Sequence, residues 1–237
     1  MGTPGSVKGP GSVKGSGPVR GPDSVKGPGS VKGPDSVKGP GSVLLPYGGV
    51  AQDPAPPEGG FLAAVSLILT ALPGVDRPAS ARFLLIRRAK HERDPWSGQM
   101  ALPGGRHDPL DPSLLDTAIR ETWEETRVDL AGAGRLLGRL PTVTPRTPHL
   151  PPLSVVPFVF VVSGPVTATV ASREVAEVLW APLSVLVRED ARTTHHLPMG
   201  GARLTFPAID VEGRTVWGLT HRILEDFRER MPLLREG

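Results

Sequence analysis

A hexapeptide repeat opens the chain and removes its first 43 residues from any plausible core. The units Gly21-Pro22-Asp23-Ser24-Val25-Lys26, Gly27-Pro28-Gly29-Ser30-Val31-Lys32 and Gly33-Pro34-Asp35-Ser36-Val37-Lys38 follow one another without a break. A collagen triple helix needs glycine at every third residue, and Ser24, Ser30 and Ser36 stand in those places. Residues 1–43 contain no Leu, Ile, Phe or Trp. One valine per unit buries too little surface to offset the entropy of ordering. A disordered tail is expected. Its origin reads either as a repetitive DNA element translated in frame, which is preferred, or as a weak electrostatic tether to nucleic acid or an acidic surface.

Charge matters here through its placement. The tail carries 6 Lys/Arg against 2 Asp, while residues 44–237 carry 21 basic and 22 acidic side chains. The sequence pI of 9.6 therefore describes the tail, and a wholly basic nucleic-acid-binding domain is disfavoured. The absence of cysteine rules out a disulfide framework, a thiolate metal site and a catalytic thiol, and it fits a cytoplasmic setting. The longest apolar run, 61–72, is too short to span a bilayer as a helix, and no N-terminal apolar segment suggests a secretory signal. A second Pro/Gly-rich stretch at 44–60 reads as a linker, leaving 61–237 as one domain with its own core.

Within that domain, 61–72 and 81–89 predict two strands, with the turn-rich 73–80 closing a hairpin. Further strands are expected at 135–144, 153–163, 166–170 and 203–206. A short helix is expected around 183–189, and a last one from Gly218 to about Arg230. Gly104-Gly105 reads as a tight turn bringing backbone to a ligand. Ser113, with Asp116 three residues on, predicts the start of a helix running to about Thr126. Leu115, Ile119, Thr122 and Thr126, with Ala118 alongside, form its core stripe, and Glu121, Glu124 and Glu125 project from the other side. Strands outnumber helices, so an α+β sandwich is favoured over a regular βαβ array.

Three carboxylates at i, i+3 and i+4 repel one another in water. A hard divalent cation such as Mg²⁺ or Mn²⁺ relieves that repulsion, polarises phosphoryl oxygens and acidifies water. The plain alternative is a solvated acidic helix face. Arg120, four residues before Glu124, can orient that carboxylate, and the glycine pair adds backbone access for a diphosphate. Arg87, Arg88, Lys90 and Arg93 either grip phosphate or form ordinary surface, with contact favoured for Arg88 and Arg93. Gln99 bonds substrate or only its own turn. The adjacent His195 and His196 diverge too far for a metal pair. Trp180 reads as core, and Glu177 as a candidate auxiliary base on a late loop.

The run Gly104-Gly105 … Arg120-Glu121-Thr122-Trp123-Glu124-Glu125-Thr126 resembles the Nudix box, the loop-helix signature of hydrolases of nucleoside diphosphates linked to another group. The resemblance implies an α/β/α sandwich with a mixed sheet and a metal-assisted attack of water on a pyrophosphate. It implies metal-binding and base roles for Glu121, Glu124 and Glu125, and a buried salt-bridging role for Arg120. Two positions depart: Pro112, with Asp111 beside it, replaces the usual Glu, and Arg127 replaces the usual Gly.

Leu84-Leu85-Ile86-Arg87-Arg88-Ala89, Arg93, Gly98-Gln99-Met100-Ala101-Leu102-Pro103-Gly104-Gly105, Asp108-Pro109-Leu110-Asp111 and Trp217-Gly218-Leu219-Thr220 resemble the coenzyme A pyrophosphatase branch. That likeness implies cleavage of coenzyme A or an acyl derivative to 3′,5′-ADP and 4′-phosphopantetheine, with Arg88, Arg93, Gln99, Gly104 and Gly105 on the substrate. The alternatives are another nucleotide, such as ADP-ribose or a nucleoside triphosphate, and a catalytically weak nucleotide-binding module. The expected partner is a small-molecule nucleotide, with no membrane, nucleic acid met only weakly through the tail, and a homodimer as the assembly to test.

Overall fold

An eleven-residue strand, β1 (Phe61–Ala71), occupies the middle of the main sheet. Along its whole length it pairs in parallel with β6 (Leu153–Ser163). Its other edge is divided. β4 (Gly104–Arg106) pairs antiparallel with the first half, and β2 (Arg82–Arg88) with the second. β3 (Met100–Ala101) and β7 (Val175–Pro182) pair with β2, and β5 (Gly134–Arg139) lies beyond β6, giving a mixed seven-stranded sheet. A three-stranded antiparallel sheet follows, built from β8 (Arg192–Met199), β9 (Ala202–Val211) and β10 (Arg214–Trp217). This computed structural model describes, besides Gly2, residues 44–71, 81–92, 94, 96–145, 150–163, 165–199 and 202–231. The proposed disordered tail, the hairpin turn at 73–80 and Arg93 lie outside them.

Burial on both faces explains the apolar run of β1, which only Ser66 and Thr70 interrupt. Ala64 and Ile68 pack toward helix α1 (Leu114–Thr126), while Leu67 and Leu69 pack with Leu224 and Phe227 of the last helix, Gly218–Arg230. Successive strand residues alternate faces, so a strand covered on both sides is apolar almost throughout, and its one buried serine, Ser66, is hydrogen-bonded to α1. β2 does the same, with Phe83 and Leu85 on one face and Leu84 on the other, all fully buried. Each such side chain contributes about 1.5–3 kcal/mol to folding. The expected α+β sandwich around a mixed sheet is what forms.

Several expected elements differ. Residues 166–170 form no strand. The Thr169 and Ala171 N–H groups donate instead to the Thr126 and Glu125 carbonyls, satisfying acceptors that the end of α1 leaves without partners. The strand expected over 135–144 ends at Arg139, and Val143 makes only an isolated bridge to Val155. Residues 183–189 give two 3-10 turns, Leu183–Val187 and Glu189–Ala191. The expected strand at 203–206 is the middle of β9.

The stretch read as a linker packs onto the body. Tyr47 is buried edge-on against Phe158, with ring centroids 5.0 Å apart, and burial pushes its phenol up to about 12. Its hydroxyl donates to Asp53 Oδ1 (2.9 Å), and Asp53 Oδ2 accepts from the Leu114 N–H (2.9 Å) at the start of α1. A carboxylate at that end of a helix also complements the helix dipole.

Candidate active site

Helix α1 begins as its sequence prescribes. Ser113 is the N-cap: its Oγ accepts from the Asp116 N–H (3.2 Å) and donates to Asp116 Oδ2 (2.5 Å). The acid thus returns to the capping hydroxyl, a variation on the usual reciprocal box. At the other end Arg127 takes the left-handed conformation, φ 58°, and its N–H donates to the Trp123 carbonyl (3.0 Å). A side chain there is strained, which is why glycine is common at this position. The departure from the box keeps the backbone shape and accepts the strain.

The expected stripe forms and is wider than expected: Ala118, Ile119, Thr122 and Thr126 are buried, and Leu115 is partly buried against the core. Leu114 adds a second apolar anchor, and Glu125 joins Ala118 and Thr122 on the covered side, with only 4% of its surface exposed. Polar bonds hold this face to the sheet. Thr122 Oγ1 donates to Ser66 Oγ (2.9 Å), and Ser66 Oγ donates to the Ala118 carbonyl (3.2 Å), stitching α1 to β1.

The glycine pair forms strand β4 where a turn was expected, and its geometry excludes side chains. Gly104 has φ 147°, and a Cβ there would lie 2.2 Å from the Ala64 carbonyl oxygen. At Gly105 a Cβ would lie 2.4 Å from Cδ of Glu121. Bare backbone therefore makes room for the Glu121 carboxylate, and the Gly104 N–H donates to Glu125 Oε2 (2.9 Å). β4 and α1 are locked together through the acids themselves.

Arg120 sits among the remaining carboxylates. Its Nε and Nη2 donate to the two oxygens of Asp111, each at 2.9 Å. Nη1 donates to Glu121 Oε1 (2.8 Å) and, at 3.4 Å, to Glu124 Oε2. Asp111, beside the departure at Pro112, is thus the acid that holds Arg120. Burial would push Asp111 up, but bonds from Arg120 and Thr117 together hold it below the usual carboxylate range. The opposite holds deeper in. Burial raises Glu121 against the pull of Arg120, and burial pushes Glu125 up to about 8 although the Gly104 N–H opposes it. Arg120 is a partly exposed hub, 30% open at its side chain, where a buried arginine was implied.

Other expected site residues are placed less centrally. Arg88 is bonded to Asp94 at 2.9 and 2.7 Å, and its N–H donates to the Gln99 carbonyl (3.0 Å). Gln99 stands immediately before β3. Glu177 lies on strand β7, where a loop was expected, and its carboxylate is shared by Arg87 (3.0 Å) and Arg214. The Arg214 hydrogen bond holds it below its ordinary range, which leaves it a poor base. Trp180 is partly buried against the α1-side core. His195 stacks on Trp217 at 4.0 Å and His196 bonds Thr205 Oγ1 at 3.0 Å, so the two rings share no site.

Sequence reasoning missed His107 and Thr117. The His107 Nδ1 and Thr117 Oγ1 are 2.8 Å apart, and Thr117 Oγ1 donates to Asp111 Oδ2 (2.8 Å), extending the network around Arg120. Neither belongs to a recognisable spacing; the available signal was only that Thr117 lies one turn before Arg120. Beside them an open cleft of about 630 Å³ is lined by Phe61, Arg106, His107, Asp108, Arg120 and Glu121, with Pro56, Leu62 and Pro109 at its sides.

Among the described residues, no three His, Asp or Glu side chains gather closely enough to hold a metal ion as they stand. The donor chemistry nonetheless fits a hard cation. Glu121, Glu124 and Glu125 offer only carboxylate oxygens, and burial, which raises Glu121 and Glu125, disfavours charged forms that a bound cation would stabilise.

A mixed-sheet sandwich with acids on a helix locked to a Gly-Gly strand defines a class, and comparisons with known proteins name it. The NUDIX domain matches residues 70–199, and the chain belongs to the Nudix family. It is 32% identical over 180 residues to an uncharacterized Nudix hydrolase, NudL, of Yersinia enterocolitica, covering 76% of this chain and 88% of that protein. An uncharacterized protein of Schizosaccharomyces pombe is 34% identical over 128 residues, covering 52% of this chain and 39% of that one. Among solved structures, the NUDIX domain of Shewanella oneidensis NrtR complexed with ADP-ribose superposes with a TM-score of 0.49 at 21% identity, covering 73% and 88% of the two chains. The chain is a pyrophosphohydrolase of the Nudix type, acting on a nucleotide-type substrate. Among the described residues no helix is long and apolar enough to cross a membrane.

Proposed function

We propose that this hydrolase cleaves the pyrophosphate of coenzyme A or its acyl derivatives, releasing 3′,5′-ADP and (acyl-)4′-phosphopantetheine, with Mg²⁺ or Mn²⁺ as cofactor. The observation carrying this reading is the two-pronged bond from Arg120 to Asp111. It gives the displaced acid of the coenzyme A-like signature the work of the missing box glutamate. The catalytic unit is residues 61–237, with 44–60 packed against it and 1–43 outside the chemistry.

Glu121, Glu124 and Glu125 would hold the metal, which when bound supplies Lewis-acid polarisation of the phosphoryl oxygens and acidification of water. The chain's own groups do the rest. Gly104 and Gly105 let the backbone of β4 approach the diphosphate and keep Glu121 and Glu125 in place. Arg120 fixes the spacing of Glu121 from Glu124. Glu124, 53% exposed at its side chain and held only at 3.4 Å, accepts the proton of the attacking water. Water adds to one phosphorus, the bridging P–O bond breaks, and the departing phosphate leaves as a phosphomonoester. Arg88, Arg93 and Gln99 are assigned to the substrate's phosphates, and Arg88 must exchange its bond to Asp94 to reach them.

A substrate panel with product masses tests this. Coenzyme A, ADP-ribose and nucleoside triphosphates are compared at saturating Mg²⁺ or Mn²⁺. The expected products are 3′,5′-ADP and 4′-phosphopantetheine, with kcat/KM for coenzyme A at least about tenfold above the others. Preference for ADP-ribose or a triphosphate would overturn the substrate; tight binding without turnover on any of them would point to a nucleotide-sensing module.

A further inference from the structure

The cleft beside Glu121 contains one strong donor group that the network around Arg120 does not use. Arg120 is committed to Asp111, Glu121 and Glu124. The His107 Nδ1 is engaged with Thr117, and Asp108 Oδ1 accepts from the Leu110 N–H at 2.8 Å. Arg106 is different. Its side chain forms no ion pair with any carboxylate among the described residues, and its guanidinium carbon lies 4.1 Å from the centre of the Phe61 ring. The ring covers one face of the guanidinium, so the N–H groups around its edge remain for an oxyanion.

The position of Arg106 ties this group to the reaction. It directly follows Gly105, which borders the Glu121 carboxylate, and its own carbonyl accepts from Arg120 Nη2 at 3.4 Å. A cleft of about 630 Å³ lies within the range that holds a nucleotide-sized ligand. We propose that Arg106, braced on Phe61, grips a phosphomonoester on the nucleoside end of the substrate, so that this chain selects nucleotides bearing a phosphate in addition to the pyrophosphate it cuts. The inference rests on the coenzyme A reading above, whose 3′-phosphate is such a group.

Two measurements separate the two ideas. Calorimetry with 3′,5′-ADP and 5′-AMP reads the site without turnover. The parent protein should bind 3′,5′-ADP about tenfold or more tightly than 5′-AMP, as expected for a charge-assisted pair. Arg106→Gln should reduce that ratio to about twofold, and Arg106→Lys should give an intermediate value. In turnover, the ratio of kcat/KM for coenzyme A to that for its 3′-dephospho form should fall in parallel. A parent protein that does not discriminate, or an Arg106→Gln variant that keeps the full ratio, overturns the inference. If coenzyme A is not cleaved while 3′,5′-ADP is still selected through Arg106, the substrate assignment falls and the phosphate site stands. Thermal melting checks that each variant is folded, and Arg106→Lys supplies the test if the glutamine variant is not.

Discussion

Two charge clusters in this molecule are built to opposite ratios. Around α1, one guanidinium, Arg120, serves three carboxylates: Asp111, Glu121 and Glu124. Between β7 and β10, one carboxylate, Glu177, is shared by two guanidinium groups, Arg87 and Arg214. The second cluster holds its acid below the ordinary range through the Arg214 hydrogen bond; in the first Asp111 is also held low, but burial leaves Glu121, and Glu125 behind it, raised. A saturated cluster ties strands together. An acid-rich one is destabilised until a cation or substrate arrives, and that asymmetry marks the reactive end of the fold.

Mutating each cluster should separate the roles. With Mg²⁺ present, Glu124→Gln is expected to lower kcat by about 100-fold or more, the range of a lost proton acceptor. Glu177→Gln should stay within about threefold of the parent and cost about 1 kcal/mol or less in stability, as for a partly exposed ion pair. Equal losses in both variants would erase the distinction.

A subtler test uses pH in the absence of metal. Glu125 is raised from 4.5 to about 8 in the folded protein, chiefly by burial, so the native state binds a proton that the unfolded chain releases. The protonated form's contribution is fully present below about 4.5 and is lost as pH rises through about 8. Thermal melts in a chelator should therefore move downward between those limits. Glu125→Gln should flatten that trend and melt higher at the alkaline end; an unchanged slope would mean that another group carries it.

The smallest effect concerns the end of α1. Arg127→Gly relieves a left-handed side chain but gives up the guanidinium–Trp123 contact at 5.2 Å, and it also loosens the unfolded chain. The net gain should be about 0.5–1 kcal/mol in denaturant unfolding, with no effect on the charge cluster. A loss of stability would show that the contact outweighs the strain.

What could be read in the sequence follows from how each segment is buried. β1, β2 and β6 are sandwiched between layers, so their apolar runs identify them directly. β8 carries Thr193, Thr194 and His196 exposed to solvent, and β10 is only four residues long, so neither has an apolar pattern to find. β7 mixes buried Val175 and Ala181 with the ion-paired Glu177, which hid it in a presumed loop. In the site, the acidic helix and the glycine pair were legible by spacing. The burial of Glu125 was not, because the covered face of α1 is wider than the apolar stripe and takes in a carboxylate bonded to the Gly104 N–H. Asp111 stood beside the expected position, yet only the folded loop shows that it reaches Arg120. His107 and Thr117 join through space alone.

The bond from Asp53 to the first turn of α1 has a mechanical side. Tyr47 is rooted in the core next to Phe158 and grips one carboxylate oxygen of Asp53, while Leu114 grips the other. Residues 47–53 thus form a short lever with its fulcrum in the hydrophobic interior and its load on the helix that carries the acids. Leu114, where that load is applied, lies two helical turns before Glu121 on the same helix.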